Sequence, residues 1–334
     1  MHIGEQLGDL SDRKLTWVAQ IGVEHVAVNT TAGTGIQNDD GTWNVAPIRA
    51  MVNRLRRGFG LSADVLNLGI EAVYYERSRF PGLWTGLDGR DAQIGTIVQN
   101  IRAAGEAGVP CLKYNCNIIG ILRTGRTVGR GGATYSHFDV QKWQDHSLTP
   151  LGALTEGQMW DNVAYVLERI IPAAEEAGVR LAVHPHDPAL PRGTGLRGIH
   201  SLLGTVEGMK KWVSLYPSRV NGFNFCQGTV AEMCDDPARE VPRAIRHFGA
   251  DGRIFMVHFR NIRGGYANFE EVYPDNGEVD FVDAIRVYDE VGYDGMLCPD
   301  HVPHSESDPD NERQHSYALG YTRGLIDARR RAMR

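Results

Sequence analysis

Glu176-Ala177-Gly178-Val179-Arg180-Leu181-Ala182-Val183-His184 is the stretch that decides the fold. A helix-forming run ends on a glycine suited to a C-cap, and an apolar strand follows at once and closes on a histidine. Glu106-Ala107-Gly108-Val109 repeats the device earlier in the chain. Working outward, strand-like segments rich in Val, Ile, aromatic or Cys residues stand near His2 to Gly4, Glu24 to Asn29, Asn67 to Tyr75, Pro110 to Asn115, Arg180 to His184, Gly222 to Cys226, Ile254 to Arg260 and Gly295 to Pro299. Between them Asp12 to Ile21, Ala46 to Gly58, Ala92 to Gly108, Thr155 to Gly178, Leu196 to Tyr216, Pro237 to Phe248, Val279 to Val291 and Glu312 to Met333 fit helices. Eight βα units are what a closed parallel barrel requires, whereas an open doubly wound sheet uses fewer strands and a glycine fingerprint at its first turn. The expected architecture is α/β, a single (β/α)8 TIM barrel spanning residues 1–334.

The 334 residues are 42% hydrophobic and 23% charged, an ordinary globular composition. A net charge of -6 supplies no general attraction to nucleic acid or to an anionic membrane, so neither partner is expected and a small molecule is. No stretch reads as a secretory leader or a bilayer span, which predicts a cytoplasmic protein. Five cysteines without a CxxC pair argue against a disulfide framework. A homo-oligomer is compatible with these features.

Catalytic groups of such barrels sit at the C-terminal ends of strands. From the fifth strand onward each apolar run ends on a metal-ligand type: His184, Cys226, His258 and Asp300. They are roughly 30 to 40 residues apart, one βα unit each, so all four project into one mouth. One strand-end histidine is more often a structural group and one buried cysteine a small core residue, but four in succession outweigh those separate readings. Imidazole, thiolate and carboxylate together suit Zn²⁺, Fe²⁺, Mn²⁺ or Co²⁺ and disfavour Mg²⁺ and Ca²⁺. Cys111 and Cys298 read as core residues inside strands, and Cys234 as a loop thiol.

At these strand ends the sequence resembles the mannonate dehydratase family. The motifs are Ala182-Val-His-Pro-His-Asp-Pro188, Asn221-Gly-Phe with Cys226 and Gly228, Val257-His-Phe-Arg-Asn261, Asn276-Gly-Glu-Val-Asp280, Pro299-Asp-His301 and Tyr317-Ala-Leu-Gly-Tyr-Thr-Arg-Gly-Leu325, with Tyr114-Asn115 and Arg123-Thr124 nearby. The resemblance implies a xylose-isomerase-like barrel, with His184, Cys226, His258 and Asp300 as metal ligands and His301 and Tyr317 as proton-moving residues. It further implies Mn²⁺ or Fe²⁺ as the ion and removal of water from D-mannonate to give 2-keto-3-deoxygluconate. The sequence departs from the family at His186, at Cys298 where an arginine commonly precedes Pro-Asp-His, and at Asn115-Cys-Asn117, positions expected to face the pocket. Loss of a cation there keeps a metal-dependent isomerase or epimerase of a keto sugar open as an alternative, and a non-catalytic sugar-binding barrel as a further one. Arg260, Arg123, Arg130, Asn115 and His186 are the expected substrate contacts.

Residues 118–147 read as a lid over the pocket, carrying Arg123, Arg126, Arg130, Tyr135 and His137. Gly125-Arg-Thr-Val-Gly-Arg-Gly-Gly132 lacks the ending of a phosphate-binding loop, which excludes a nucleotide reading. Tyr74, Tyr75, Glu76, Arg77 and Trp84 suggest a sugar-stacking wall or, equally, packing.

Overall fold

Thr155 opens one long helix with a capping box, its side chain accepting from the Gln158 backbone while the Gln158 side chain accepts from the Thr155 N–H. The helix ends at Gly178, whose φ of 65° turns the chain directly into the strand at Arg180. The computed structural model describes residues 1–29, 31, 33–71 and 78–334. Its strands are β1 His2–Leu7, β2 His25–Val28, β3 Ser62–Asn67, β4 Cys111–Tyr114, β5 Gly125–Val128, β6 Thr134–Asp139, β7 Arg180–Val183, β8 Asn221–Cys226, β9 Ile254–His258, β10 Asn261–Gly265, β11 Asn268–Val272 and β12 Met296–Cys298. Its helices are α1 Asp12–Gln20, α2 Val45–Phe59, α3 Arg90–Glu106, α4 Glu156–Ala177, α5 Val206–Leu215, α6 Gln227–Ala231, α7 Pro237–Ala250, α8 Phe281–Glu290 and α9 Glu312–Ala332.

Strands β1, β2, β3, β4, β7, β8, β9 and β12 close into a parallel barrel, β12 pairing back onto β1. Small and sulfur-bearing side chains fill its interior, among them Ala27, Val65, Cys111, Ala182, Met256 and Cys298, so the barrel is a packed core and its chemistry lies at the mouth. The connections leaving β4 and β9 join as a second, antiparallel sheet in the order β10-β11-β6-β5. Residues 118–147 therefore contain a hairpin stitched to β11, with Phe138 in register with Phe269 and their rings 5.9 Å apart. No described helix is long and apolar enough to cross a membrane.

Two expectations about elements need correction. The third strand is Ser62–Asn67 and not Asn67 to Tyr75. Gly60, at φ 72°, ends α2 so close to the sheet that Ala63, Val65 and Leu66 become the buried residues of the strand. Residues 72–77, including Tyr74, Tyr75, Glu76 and Arg77 of the suggested aromatic wall, lie outside the described residues. The helix expected from Leu196 begins only at Val206, because Thr205 caps it by accepting from the Gly208 N–H and the residues before it form turns.

Candidate metal centre and active-site cavity

Four neighbouring strands deliver the expected ligand types to one point. His184 follows β7 directly, Cys226 ends β8, His258 ends β9 and Asp300 stands two residues past β12. His184 Nε2 lies 3.2 Å from His258 Nδ1, His258 Nδ1 lies 3.3 Å from Asp300 Oδ2, and Cys226 Sγ lies 3.9 Å from the same oxygen. One donor atom from each falls within 4.8 Å of all the others. Donors about a tetrahedral ion with bonds near 2.1 to 2.3 Å stand roughly 3.4 to 3.8 Å apart, so the donor set and its spacing fit a divalent transition metal.

Neighbouring groups orient these ligands. His184 Nδ1 meets the Pro185 carbonyl at 2.6 Å and His258 Nε2 meets Asn224 Nδ2 at 3.0 Å, leaving the other nitrogen of each ring toward the centre. Thr229 donates to Cys226 Sγ from its backbone N and its hydroxyl at 3.4 and 3.1 Å. Burial opposes ionisation of Cys226, yet the Arg260 guanidinium and His258 bring its thiol below the usual range. Burial likewise opposes the Asp300 carboxylate, but His258 and His301 hold it well below its ordinary value. Burial pushes His184 down to about 4, leaving its imidazole neutral.

Beside the ligands, among the loops that follow their strands, runs a buried ion network. Arg260 Nη2 reaches Asp187 Oδ2 at 2.7 Å, Glu232 Oε1 at 2.8 Å and Thr229 Oγ1 at 3.0 Å, while its Nε lies 3.2 Å from Asp300 Oδ2. A Cβ at Gly228 would come within 2.6 Å of the Arg260 side chain, so the glycine makes room for it. Arg123 donates to Asp187 at 2.6 and 3.0 Å and also to Glu271, which holds His301 Nδ1. Burial would raise both carboxyl groups, but Arg123 and Arg260 hold Asp187 down, and His301 and Arg123 do so for Glu271. Burial alone would lower His301, and Asp300 with Glu271 carries it up to about 10.

Above the centre opens a cavity of about 190 Å³, lined by the ligands His184, His258 and Asp300, by His301 and Asp187, and by a polar wall of Gln6, Asn29, Asn67, Lys113, Asn115, Asn117 and Asn224. Of the expected substrate contacts, only Asn115 lines it. Arg123 and Arg260 are instead taken up by the carboxylates Asp187, Glu271 and Glu232. His186 faces a separate small hollow, with Cys116 Sγ 3.1 Å from its Nε2. Arg130 stands at the surface with Asp275, at 2.7 and 3.0 Å. Tyr317 is not brought to the cavity either. The buried face of α9 is Ala318, Leu319, Thr322 and Ile326, and Tyr317 sits beside that stripe, 39% exposed, against Tyr273 and the Arg130 guanidinium.

Cys111 and Cys298 are core residues inside strands, as read, sealed in the barrel with Met256, so the expectation that the departure at Cys298 faces the pocket does not hold. Cys234 is the loop thiol expected, in the turn after α6, and it is buried there, its Sγ donating to the Val230 carbonyl at 3.1 Å. Trp84 is a packing residue, donating to the Ile70 carbonyl at 2.8 Å and stacked 6.0 Å from Tyr114. Sequence reasoning missed Lys113, Gln6, Asp187, Glu232 and Glu271. A signal existed for two of them: Lys113 is a charge inside an apolar strand, and Gln6 is an amide near the end of β1 where a barrel mouth must lie.

Comparison with known proteins identifies a family and a fold. The sequence profile described as D-mannonate dehydratase (UxuA) matches residues 147–334. The mannonate dehydratase of Thermotoga petrophila is 32% identical over 252 residues, covering 65% of this chain and 68% of the relative. The crystal structure of mannonate dehydratase from Streptococcus suis superposes with a TM-score of 0.85 over 100% of this chain and 94% of that one, at 23% identity. A xylose isomerase domain protein from Planctomyces limnophilus gives 0.61 over 98% and 97% at 12% identity, a likeness of fold.

Proposed function

This chain belongs to the D-mannonate dehydratase family, and from that premise we propose that it is a metal-dependent hydro-lyase converting D-mannonate to 2-keto-3-deoxygluconate and water. The observation that carries the reading is the convergence of His184, Cys226, His258 and Asp300 on one point of the barrel mouth, directly under a polar cavity. A bound divalent ion supplies Lewis acidity toward the substrate oxygens, and the mixed nitrogen, sulfur and oxygen donor set suits Mn²⁺ or Fe²⁺ as the resident metal.

The chain's own residues supply the rest. Dehydration takes a proton from C2, breaks the C3–O bond and returns a proton to the departing hydroxyl; the enol left behind becomes the 2-keto group. His301 is placed to carry that proton, because it lines the cavity while Glu271 fixes its Nδ1. Arg260 and Arg123 do not line the cavity and hold Asp300, Asp187 and Glu271 in register rather than touching substrate. The amides of Gln6, Asn29, Asn67 and Asn224 match the hydroxyls of a sugar chain. All five cysteines are unpaired and buried, which suits a reducing, cytoplasmic setting.

The amide-rich wall also suits an uncharged keto sugar, which keeps isomerase or epimerase chemistry as the second reading. NMR of the metal-loaded protein with a panel of aldonates and keto sugars separates the two. Dehydration of D-mannonate creates a CH₂ group at C3. Inert aldonates together with a keto sugar that shifts its carbonyl or exchanges an α-proton would replace the dehydratase reading.

A further inference from the structure

The cavity has two unlike halves. Toward β7, β9 and β12 its wall is the ligand set, and toward β1 to β4 it is amide and ammonium, with Gln6, Asn29, Asn67 and Asn115 around Lys113. Lys113 sits in the middle of β4, a strand buried along its whole length, with 8% of its own surface exposed. Burying an ammonium costs several kcal/mol unless opposite charge or good acceptors meet it. Its hydrogen bond goes to an uncharged partner, Gln6 Oε1, and among the described residues it makes no ion pair.

The other cations at this end of the barrel already have counter-charges. Arg123 has Asp187 and Glu271, Arg260 has Asp187 and Glu232, and His301 has Glu271. Of these, only His301 reaches the cavity wall. Lys113 is thus the described cavity cation that makes no direct ion pair, with Asp300 acting on it only from a distance.

We propose that the Lys113 ammonium binds the carboxylate of the sugar acid and is the residue that selects a charged substrate over a neutral sugar. Gln6 fixes its position, accepting from Lys113 through Oε1 while Nε2 donates to Asp300 Oδ1 at 3.0 Å. One amide side chain therefore sets the distance between the anion-binding ammonium and the ligand cluster, and the carboxylate end of the substrate lies between them. This rests on the dehydratase reading and deepens it.

The test is calorimetric binding of D-mannonate and its uncharged counterpart D-mannonamide to metal-loaded wild type, Lys113→Met, Lys113→Gln and Lys113→Arg, all in a His301→Gln background so that the acid is not consumed, with metal content measured on each and product formation assayed with His301 intact. A charge-assisted hydrogen bond predicts a roughly 10- to 100-fold loss of D-mannonate affinity in the Met and Gln variants. D-mannonamide binding and metal content should stay near wild type, and the Arg variant should retain most of the preference for the acid. An equal loss for acid and amide, or no loss for the acid, overturns the assignment. Wild type that binds the amide as tightly as the acid overturns it without any variant. Charge selection that follows Lys113 in a protein forming no 2-keto-3-deoxy acid upholds the assignment and overturns the dehydratase reading instead.

Discussion

His301 and Tyr317 separate two roles that look alike in the sequence. His301 Nδ1 is anchored on Glu271 and its ring lines the cavity, the placement that the proposed proton transfer requires. His301→Gln is expected to keep the metal and the fold while lowering kcat by about 10² or more, the usual scale for removing a positioned proton carrier. Tyr317, at the rim against Arg130 and Tyr273, has no such placement. Tyr317→Phe should therefore leave kcat within about threefold of wild type, since a surface change away from a buried contact usually moves energies by no more than 0.5 kcal/mol or so. Steady-state kinetics with elemental analysis checks both variants, and a Tyr317→Phe loss as large as that of His301→Gln would show that α9 moves inward during turnover.

Among the elements, α9 packs against β1 and carries a part-buried ion pair to it. His315 Nδ1 lies 3.1 Å from Glu5 Oε2, and Glu5 is 2% exposed. Burial would lower the imidazole, but Glu5 outweighs it and raises it above its ordinary value. A raised folded-state value means that the stabilisation is complete below the unfolded imidazole value of about 6.5 and fades as pH rises through the folded one. Glu5→Gln should cost up to about 3 kcal/mol, with the gap in Tm to wild type widest below the unfolded imidazole value and narrowing as pH rises above it. Thermal melts across that range decide it, and a gap that widens upward would assign the stabilisation to another group. The β5–β6 hairpin is held in the same manner at its base, where Arg123 bridges Asp187 and Glu271.

Across the whole molecule, the four candidate ligands come from the second half of the barrel, and an ion held among them would tie β7, β8, β9 and β12 together. Binding to the folded state alone adds about 2.7 kcal/mol at a free ion concentration 100 times Kd. Chelation should lower Tm by several degrees and readdition of Mn²⁺ or Fe²⁺ restore it, whereas a Cys226→Ala/His258→Ala double variant should show no metal-dependent shift in calorimetry. The βα rhythm and the residue types at strand ends were legible in the sequence, because helix caps, apolar periods and strand termini are local properties of the chain. That is why His184, Cys226, His258 and Asp300 were readable, while β3 was misplaced where a tyrosine-rich run outscored Ser62–Asn67. Which charges meet was decided only by barrel closure. Gln6 reaches Asp300 across 294 residues and Arg123 reaches Glu271 across 148, pairings that depend on the order in which strands close the ring and on loops that meet above it. The same closure buries Arg260 and Arg123 under carboxylates and leaves Lys113 facing the cavity, because an ion's partner is set by three-dimensional distance and dielectric, neither of which local sequence encodes.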